Sequence, residues 1–496
     1  MKLSQLCQNL IDPSTSYDID IKGLALDSRD IKPGYLFLAC PGTHTTGHDF
    51  IDKAIEAGAV AVLCDASPHI FNDVMITLED GRQIPVLAVP YLLTSVGQLA
   101  SQFYGEPSTH FPVYGVTGTN GKTSITHYIA QCFNQINQPC AVLGTVGNGF
   151  LDKLEESSHT TADPISLQQL LARYQEQGAK AIAMEVSSHG LDQGRVNGVC
   201  FDSAIFTNLT HDHLDYHQTM ENYAAAKRKL FCMPDLKRGI FNLDDAYGRA
   251  LLNEFKDKID CYGYSVDPQT GSEFPLIKAL EVQYSTQGIN AQIDTPWGSA
   301  ELSLSLFGHF NLSNVLAVIA LLGSKGISFQ EILGLVSKIK PVTGRMEMLK
   351  KAGKITVVVD YSHTPDSLNK ALIAIRAHTG AKIWCVFGCG GDRDKGKRPE
   401  MGKIAEQLAD HVIVTNDNPR HESAEQIAQD ILDGMSYPEK VTVLLDREQA
   451  IHYAISQAHE KDVILVAGKG HENYQQVGDE KRPFSDQAVV KQILGI

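Results

Sequence analysis

Between the apolar run Val113-Tyr114-Gly115-Val116 and an apolar-periodic stretch over residues 125–133 stands Thr117-Gly118-Thr119-Asn120-Gly121-Lys122-Thr123-Ser124. A strand, a glycine-bearing loop and a helix start, in that order, form a phosphate cradle. Glycines let successive N–H groups wrap an anion, the helix N-terminus adds its dipole, Lys122 supplies a point charge, and the Thr123 hydroxyl suits Mg²⁺. The pattern departs from G-x-x-x-x-G-K-[ST], because Val116 holds the first glycine position. A chance glycine-rich turn would not need both flanking elements. Gly118, Thr119, Asn120, Gly121, Lys122, Thr123 and Ser124 are therefore read as nucleotide ligands.

Two further segments carry chemistry. Residues 181–184 read as a strand that delivers Glu185 at its end, ahead of Val186-Ser187-Ser188-His189-Gly190. A carboxylate beside a phosphate loop is a candidate ligand for a hard cation. Downstream of a second apolar run, Thr207-Asn208-Leu209-Thr210-His211-Asp212-His213-Leu214-Asp215-Tyr216-His217 packs three histidines and two aspartates into seven residues. A zinc hydrolase of the H-x-H-x-D-H kind is one reading, but Tyr216 separates Asp215 from His217 and breaks that spacing. With a phosphate loop upstream, Mg²⁺ chemistry is the stronger one.

These segments need a large scaffold. The chain has 496 residues, more than one hydrophobic core usually serves, so two to four domains are expected. Apolar residues make up 43% and charged residues 20%, as in globular proteins. The first 90 residues alternate short β-like runs (34–40, 59–64) with a helical stretch over 48–57, and read as a small α/β domain. An amphipathic helix over 92–104 then leads into the phosphate-loop unit, which extends to residue 341. Over 342–496 four apolar runs (355–359, 383–387, 411–414, 463–466) alternate with helical segments, the signature of a parallel, doubly wound sheet. The fold class expected is thus α/β with three domains.

All four C-terminal runs end on polar tails: Asp360-Tyr361-Ser362-His363, Gly388-Cys389-Gly390-Gly391-Asp392-Arg393, Asp417-Asn418-Pro419-Arg420 and Gly468-Lys469-Gly470-His471-Glu472. Ligands of such sheets sit outside the carboxyl ends of the strands, so packing alone is a poor explanation for four such tails. The formal charge of -15 disfavours nucleic acid and anionic lipid. The longest apolar run, 315–322, is far short of the ~20 residues a spanning helix needs, and the N-terminus lacks an apolar signal core. Ten cysteines without paired spacing read as free thiols of a cytoplasmic protein.

The G-T-N-G-K-T loop, the E-V-S-S-H and T-N-L-x-x-D-H-L-D-Y-H segments and the D-Y-x-H-T-P-D-S-L segment together resemble the Mur ligase family, which includes folylpolyglutamate synthetases, over essentially the whole chain. The resemblance implies a UDP-sugar domain (1–90), a central ATPase (91–341) and a C-terminal Rossmann-like domain (342–496). Carried over residue by residue, it implies uridine and diphosphate contacts at Leu26, Ser28, Thr43, His44 and Thr45. It implies a grip on the muramoyl dipeptide at His159, Thr160, Thr161, Ser187, Gln193 and Arg195. Asn314, Arg345, Asp360 and His363 are implied in holding adenine, phosphate and ribose. Glu185, His213 and Thr123 are implied as Mg²⁺ ligands, together with Lys227 as a carbamate, and a second Mg²⁺ is expected.

The same resemblance implies the incoming amino acid. Asp417-Asn418-Pro419-Arg420 matches the tetrapeptide of diaminopimelate-adding members, whereas lysine-adding members lack this arginine. A guanidinium fork suits the extra carboxylate of diaminopimelate, and lysine would leave Arg420 unpaired. Arg393, Gly468 and Glu472 are the remaining implied contacts. The expected reaction is ATP-dependent addition of meso-diaminopimelate to UDP-N-acetylmuramoyl-L-alanyl-D-glutamate by a monomer. A lysine-adding ligase, a folylpolyglutamate synthetase, a nucleotide-gated binding protein and the zinc hydrolase are the alternatives.

Overall fold

The structure is a computed structural model that describes residues 1–8, 10, 18–42, 46–66, 73–157, 159–351 and 355–496. The chain divides into two compact units: Met1–Lys122, Ile129–Phe241 and Asp245–Cys261 form one, and Thr123–Tyr128, Asn242–Asp244 and Tyr262–Ile496 the other.

The first unit holds two sheets. One has the strand order Gly23–Ala25, Tyr35–Ala39, Ala59–Asp65, Gln83–Val89, Val74–Thr77, parallel except for the last pair. Strand alternation explains its two cores. Leu36 and Leu38 face the helix Leu92–Phe103 with Leu63, Leu87 and Val96, while Phe37 and Ala39 turn the other way onto Ile55, Val62 and Val86. The stretch expected as one helix over 48–57 is a 3-10 turn, Gly47–Phe50, followed by the helix Ile51–Glu56. The second sheet runs Arg238–Asn242, Phe201–Phe206, Val113–Thr117, Ala181–Glu185, Cys140–Leu143, Asn148–Phe150, Lys153–Glu155. Its first five strands are parallel and the last two form an antiparallel extension. Val113–Thr117 lies in the middle, with later strands added on both sides of it, so its carboxyl end is a topological switch point. The phosphate loop starts there.

In the second unit Leu276–Ser285, Gly288–Thr295 and Gly298–Leu304 form an antiparallel meander. The helix His309–Ser324 contains the apolar run 315–322, every residue of which is buried. A helix apolar all round is a core helix, and among the described residues no helix is long and apolar enough to cross a membrane. The C-terminal sheet has the order Glu347–Lys350, Thr356–Asp360, Val463–Ala467, Ile383–Phe387, His411–Val414, Thr442–Val443. The four apolar runs are its interior, all parallel, and they bury both faces. Val358, Cys385, Phe387 and Leu465 meet one layer of helices, and Val357, Val359, Trp384 and Val466 the other. Parallel strands put all four polar tails at one edge of the sheet. The edge strands Glu347–Lys350 and Thr442–Val443 carry too few apolar residues to have been anticipated. All ten cysteines are free.

Candidate active site

In the first unit the phosphate loop is stitched to the segment after Phe201–Phe206. Thr119 N donates to Asn208 O (2.8 Å), Asn120 N to Asn208 Oδ1 (3.0 Å), and Thr207 Oγ1 to Asn120 O (2.6 Å). Thr119 Oγ1 pairs with Tyr223 OH (3.2 Å) and accepts from Thr210 N (3.0 Å). Gly118 has φ +146°, and a Cβ there would lie 1.8 Å from Thr207 Oγ1, so only glycine fits. The helix expected from 125 begins at Lys122 and runs to Gln135, because Gly121 at φ +91° turns the chain directly into it. Lys122 Nζ bends back to donate to Gly118 O and Thr119 O, each at 2.9 Å.

Lys227 comes from the helix Met220–Arg228, has no exposed surface, and donates from Nζ to the same Gly118 carbonyl at 2.9 Å, 4.2 Å from the Tyr223 ring centroid. Burial, and then the charge of Lys122, push its pKa well below the ordinary lysine range. Glu185 pairs in register with Val116 and is 1% exposed. Its Oε1 accepts from Thr145 N (2.8 Å) and its Oε2 from Thr145 Oγ1 (3.2 Å), which also pairs with Thr160 Oγ1 (3.0 Å). Gly144 leaves room for this carboxylate: a Cβ there would meet Oε1 at 2.2 Å.

His213, in left-handed backbone (φ +52°), belongs to an aromatic cluster with ring centroids 4.9 Å from His189 and 6.1 Å from Tyr223. His189 in turn lies 4.3 Å from Tyr216 and 5.4 Å from His217. Burial foremost, with the charges of Lys122 and Lys227, holds the His213 imidazole below its ordinary value against the pull of Asp212. Burial brings His189 down to about 4. Neutral imidazoles are the form that binds metals. Among the described residues no three His, Cys, Asp or Glu side chains gather as a ready metal site. The zinc reading of 211–217 finds no ready ligand set among them.

The dipeptide candidates meet beside Glu185. Thr161 Oγ1 donates to Glu185 O and accepts from Ser187 N, both at 3.0 Å. Arg195 donates to Thr161 O (2.8 Å) and twice to Gln193 Oε1 (2.9 and 2.6 Å), and Gln193 reaches Tyr216 OH (3.2 Å). His159 is exposed. Leu26 packs at the margin of the first core, and Ser28 opens a 3-10 turn capped by Asp27. Thr43, His44 and Thr45 lie outside the described residues.

In the second unit Arg345 joins the phosphate-loop hydroxyl to the C-terminal tails: its Nη2 is 3.5 Å from Thr123 Oγ1 and its guanidinium 4.7 Å from the Tyr361 ring centroid. Its Nε and His471 Nδ1 are buried without a partner among the described residues. Asp360 accepts from Met346 N (2.7 Å) and from Ser362; burial raises its pKa despite these bonds. His363 Nδ1 pairs with Tyr361 O (2.8 Å). Asn314 donates to Asn311 Oδ1 (3.3 Å), which also accepts from Tyr128 OH (3.0 Å).

The remaining tails share one cluster. Arg420, at φ +50°, donates from Nη1 to Gly391 O (2.7 Å), and its backbone is clamped by Gln476 and Gly478. Its Nε and Nη2 have no partner among the described residues. Arg393 is exposed, and both arginines border Gly390: a Cβ there would lie 3.0 Å from Arg420 Nη1 and 3.7 Å from Arg393 Cγ. Pro419 is buried. Asp417 presses against Gly468, whose φ of +116° and lack of a Cβ admit Oδ2 at 2.5 Å from where a Cβ would stand. Asn418 Nδ2 donates to Glu472 Oε2 (2.9 Å).

Beneath this cluster two buried arginines hold the tails. Arg447 pairs bidentately with Asp486 (2.7 and 2.8 Å), both wholly buried, and donates to Asn416 O and Ala467 O. Arg398, also without exposed surface, binds Glu422, Asp430 and Gly390 O, and brings the Glu422 carboxyl down to about 2. Sequence reading did not find Thr145, Tyr223, Arg398 or Arg447, whose spacing carries no signal, and gave no role to Tyr216 or Lys469 within the segments it singled out. Asn208 stood in a noted segment.

Three family models match the chain: "Mur ligase family, catalytic domain" over residues 20–104, "Mur ligase middle domain" over 116–322, and "Mur ligase, glutamate ligase domain" over 344–470. A Coxiella burnetii protein named UDP-N-acetylmuramoyl-L-alanyl-D-glutamate--2,6-diaminopimelate ligase is 45% identical over 477 residues, covering 96% of each chain. A Neisseria meningitidis serogroup B protein of the same name is 46% identical over 495 residues, covering 99% of each. A solved structure with that name has 33% identity and a TM-score of 0.73, covering 100% of this chain and 99% of its own. A folylpolyglutamate synthase from Mycobacterium tuberculosis, at 16% identity, shares the fold alone, with a TM-score of 0.62 over 82% of this chain and 95% of its own. Full-length identity at this level, on a chain whose phosphate loop, Glu185 and strand-end tails stand where the motifs require, makes the protein a member of the Mur ligase family.

Proposed function

We propose that this protein is an ATP-dependent ligase that joins meso-diaminopimelate to the D-glutamyl residue of UDP-N-acetylmuramoyl-L-alanyl-D-glutamate in peptidoglycan synthesis, as a monomer in the cytoplasm. The observation that carries the reading is Arg420, held by Gly391 with the rest of its guanidinium unpaired among the described residues, beside Arg393, in a chain whose relatives bear that activity in their names. The glutamyl carboxylate attacks the γ-phosphorus of ATP; the bond to the β-γ bridging oxygen breaks, and ADP leaves an acyl phosphate. Lys122 and the N–H groups of Gly118–Gly121 neutralise the charge that develops on the transferring phosphoryl group. An amino group of diaminopimelate then attacks the acyl carbon, loses a proton, and phosphate departs.

Arg195, Thr161, Ser187 and Gln193 orient the dipeptide. Arg345, beside Thr123, contacts the nucleotide phosphates, with Asp360, His363 and Asn314 holding ribose and adenine. Arg420 and Arg393 take the far carboxylate of diaminopimelate, and Glu472 an ammonium.

The buried carboxylate of Glu185 and the Thr123 hydroxyl are oxygen donors of the kind Mg²⁺ prefers; the family resemblance adds His213, and two such ions would be held with Lys227 as a carbamate. Bound Mg²⁺ would lower the charge repulsion between ATP and the incoming carboxylate. Lys227 supports this reading because burial pushes its pKa down, and the neutral amine so favoured has the lone pair that attacks CO₂, releasing a proton. The carbamate keeps one N–H for the Gly118 carbonyl.

The test is phosphate release from Mg²⁺-ATP with the UDP-muramoyl dipeptide and, in parallel, meso-diaminopimelate or L-lysine, with mass spectrometry of the product. Amide formation with diaminopimelate alone is expected. Product only with lysine would refute the Arg420 argument, and ATP hydrolysis without amide would refute the ligase.

A further inference from the structure

The role assigned above to Glu472 leaves unused the lysine that precedes it in the same tail. Lys469 has no exposed surface; its ammonium donates to Asn418 Oδ1 (3.0 Å) and Glu472 Oε2 (2.9 Å) and lies 5.5 Å from the Tyr474 ring centroid. The Asn418 amide is fixed in one orientation, since Oδ1 also accepts from Gln476 N (2.9 Å) while Nδ2 donates to Glu472 Oε2. Two donors therefore converge on a single oxygen of Glu472, and Oε1 is left without a partner among the described residues. A lysine buried this completely stays only where its geometry is well satisfied. Of the two carboxylates in the cluster, Asp417 and Glu472, Lys469 engages Glu472 alone.

We propose that Lys469 is a positioning residue for recognition of the incoming amino acid: with Asn418 it pins Oε2 of Glu472 and so reserves Oε1 for the substrate ammonium. The inference rests on the reading of Glu472 as the ammonium acceptor. Charge-assisted hydrogen bonds are strong and directional, so a carboxylate pinned at one oxygen loses little freedom when the other binds.

Steady-state kinetics on the full-length chain with Mg²⁺-ATP, the UDP-muramoyl dipeptide and varied diaminopimelate test it. Lys469→Met keeps the stem and removes the charge. KM for diaminopimelate should rise about tenfold or more, with KM for ATP and for the dipeptide within about twofold. Lys469→Gln, which retains an amide donor, should fall between. In a Glu472→Gln background, Lys469→Met should add less than about twofold, because residues acting through one contact are not additive. If Glu472→Gln leaves KM for diaminopimelate unchanged, the ammonium reading fails and the proposal with it. If Glu472→Gln raises that KM but Lys469→Met does not, if the two effects multiply, or if all three KM values rise together, the proposal alone is overturned. Failure of both Lys469 variants to unfold cooperatively near the parent Tm would assign Lys469 to folding and overturn it equally.

Discussion

Lys122 and Lys227 donate to the same carbonyl, that of Gly118, and two ammonium groups on one acceptor repel. Burial, and then the charge of Lys122, push the pKa of the wholly buried Lys227 down, whereas Lys122 begins a helix next to the phosphate cradle. Lys122→Ala should lower kcat about 10²- to 10³-fold, on the scale of removing one preorganised charge-stabilising donor. Unchanged turnover would remove Lys122 from the phosphate role. For Lys227 the expectation is a bicarbonate requirement: enzyme depleted of CO₂ at mildly acidic pH should lose activity and regain it on adding bicarbonate. Lys227→Gln should show neither loss nor recovery, and a parent enzyme indifferent to CO₂ would refute the carbamate.

Loops at strand ends depend on what lies beneath them. Gly344 sits at φ +68°, where a Cβ would come 2.2 Å from Gly470 C and His471 N. Gly344→Ala combines left-handed strain with a clash against backbone that has no rotamer to change, so it should destabilise the second unit by about 1–3 kcal/mol or more. Because Arg345 follows directly, KM for ATP should rise as well; a variant with unaltered Tm and KM would contradict the close approach. The Arg447–Asp486 pair holds the carbonyls of Asn416 and Ala467, from which two of the tails depart. Arg447→Ala leaves Asp486 buried and uncompensated and should cost about 3–5 kcal/mol. The double change Arg447→Met with Asp486→Leu should recover much of that stability in urea unfolding, but not the alignment of the tails, and so not KM for diaminopimelate.

Protons couple the whole molecule to pH. Burial first, with Arg345 and His471 or His213 and His217 adding to it, lowers His127 and His189 to about 4, and burial with Arg345 lowers His471 to about 4. Between pH 6.5 and 4 the unfolded chain binds protons that the folded chain refuses, so stability rises with pH through that window. The contribution is complete above about 6.5 and is lost as pH falls through the folded value. For His127, 7% exposed, it amounts to about 3 kcal/mol, and less for the other two. Urea midpoints should fall from pH 6.5 to 4, and His127→Gln should flatten part of that slope; a flat parent profile would contradict it.

Much of this was legible without coordinates. The phosphate loop, Glu185 and the four tails sit at turns and strand ends, where local hydrogen bonding and steric limits dictate residue type, and the four apolar runs could only be interior parallel strands. Side chains that matter through distant neighbours were not legible. Nothing in the local pattern distinguishes the buried Lys227 from a solvated helix lysine, or Arg398, Arg447 and Lys469 from surface cations; for Lys227 only the family resemblance pointed inward. Thr145 touches Glu185 across 40 residues, and Tyr223 reaches Thr119 across 104. Local pattern records what a residue does to its own few neighbours along the chain. Which cation loses its water, and which carboxylate it then fixes, depends on segments brought together from far apart.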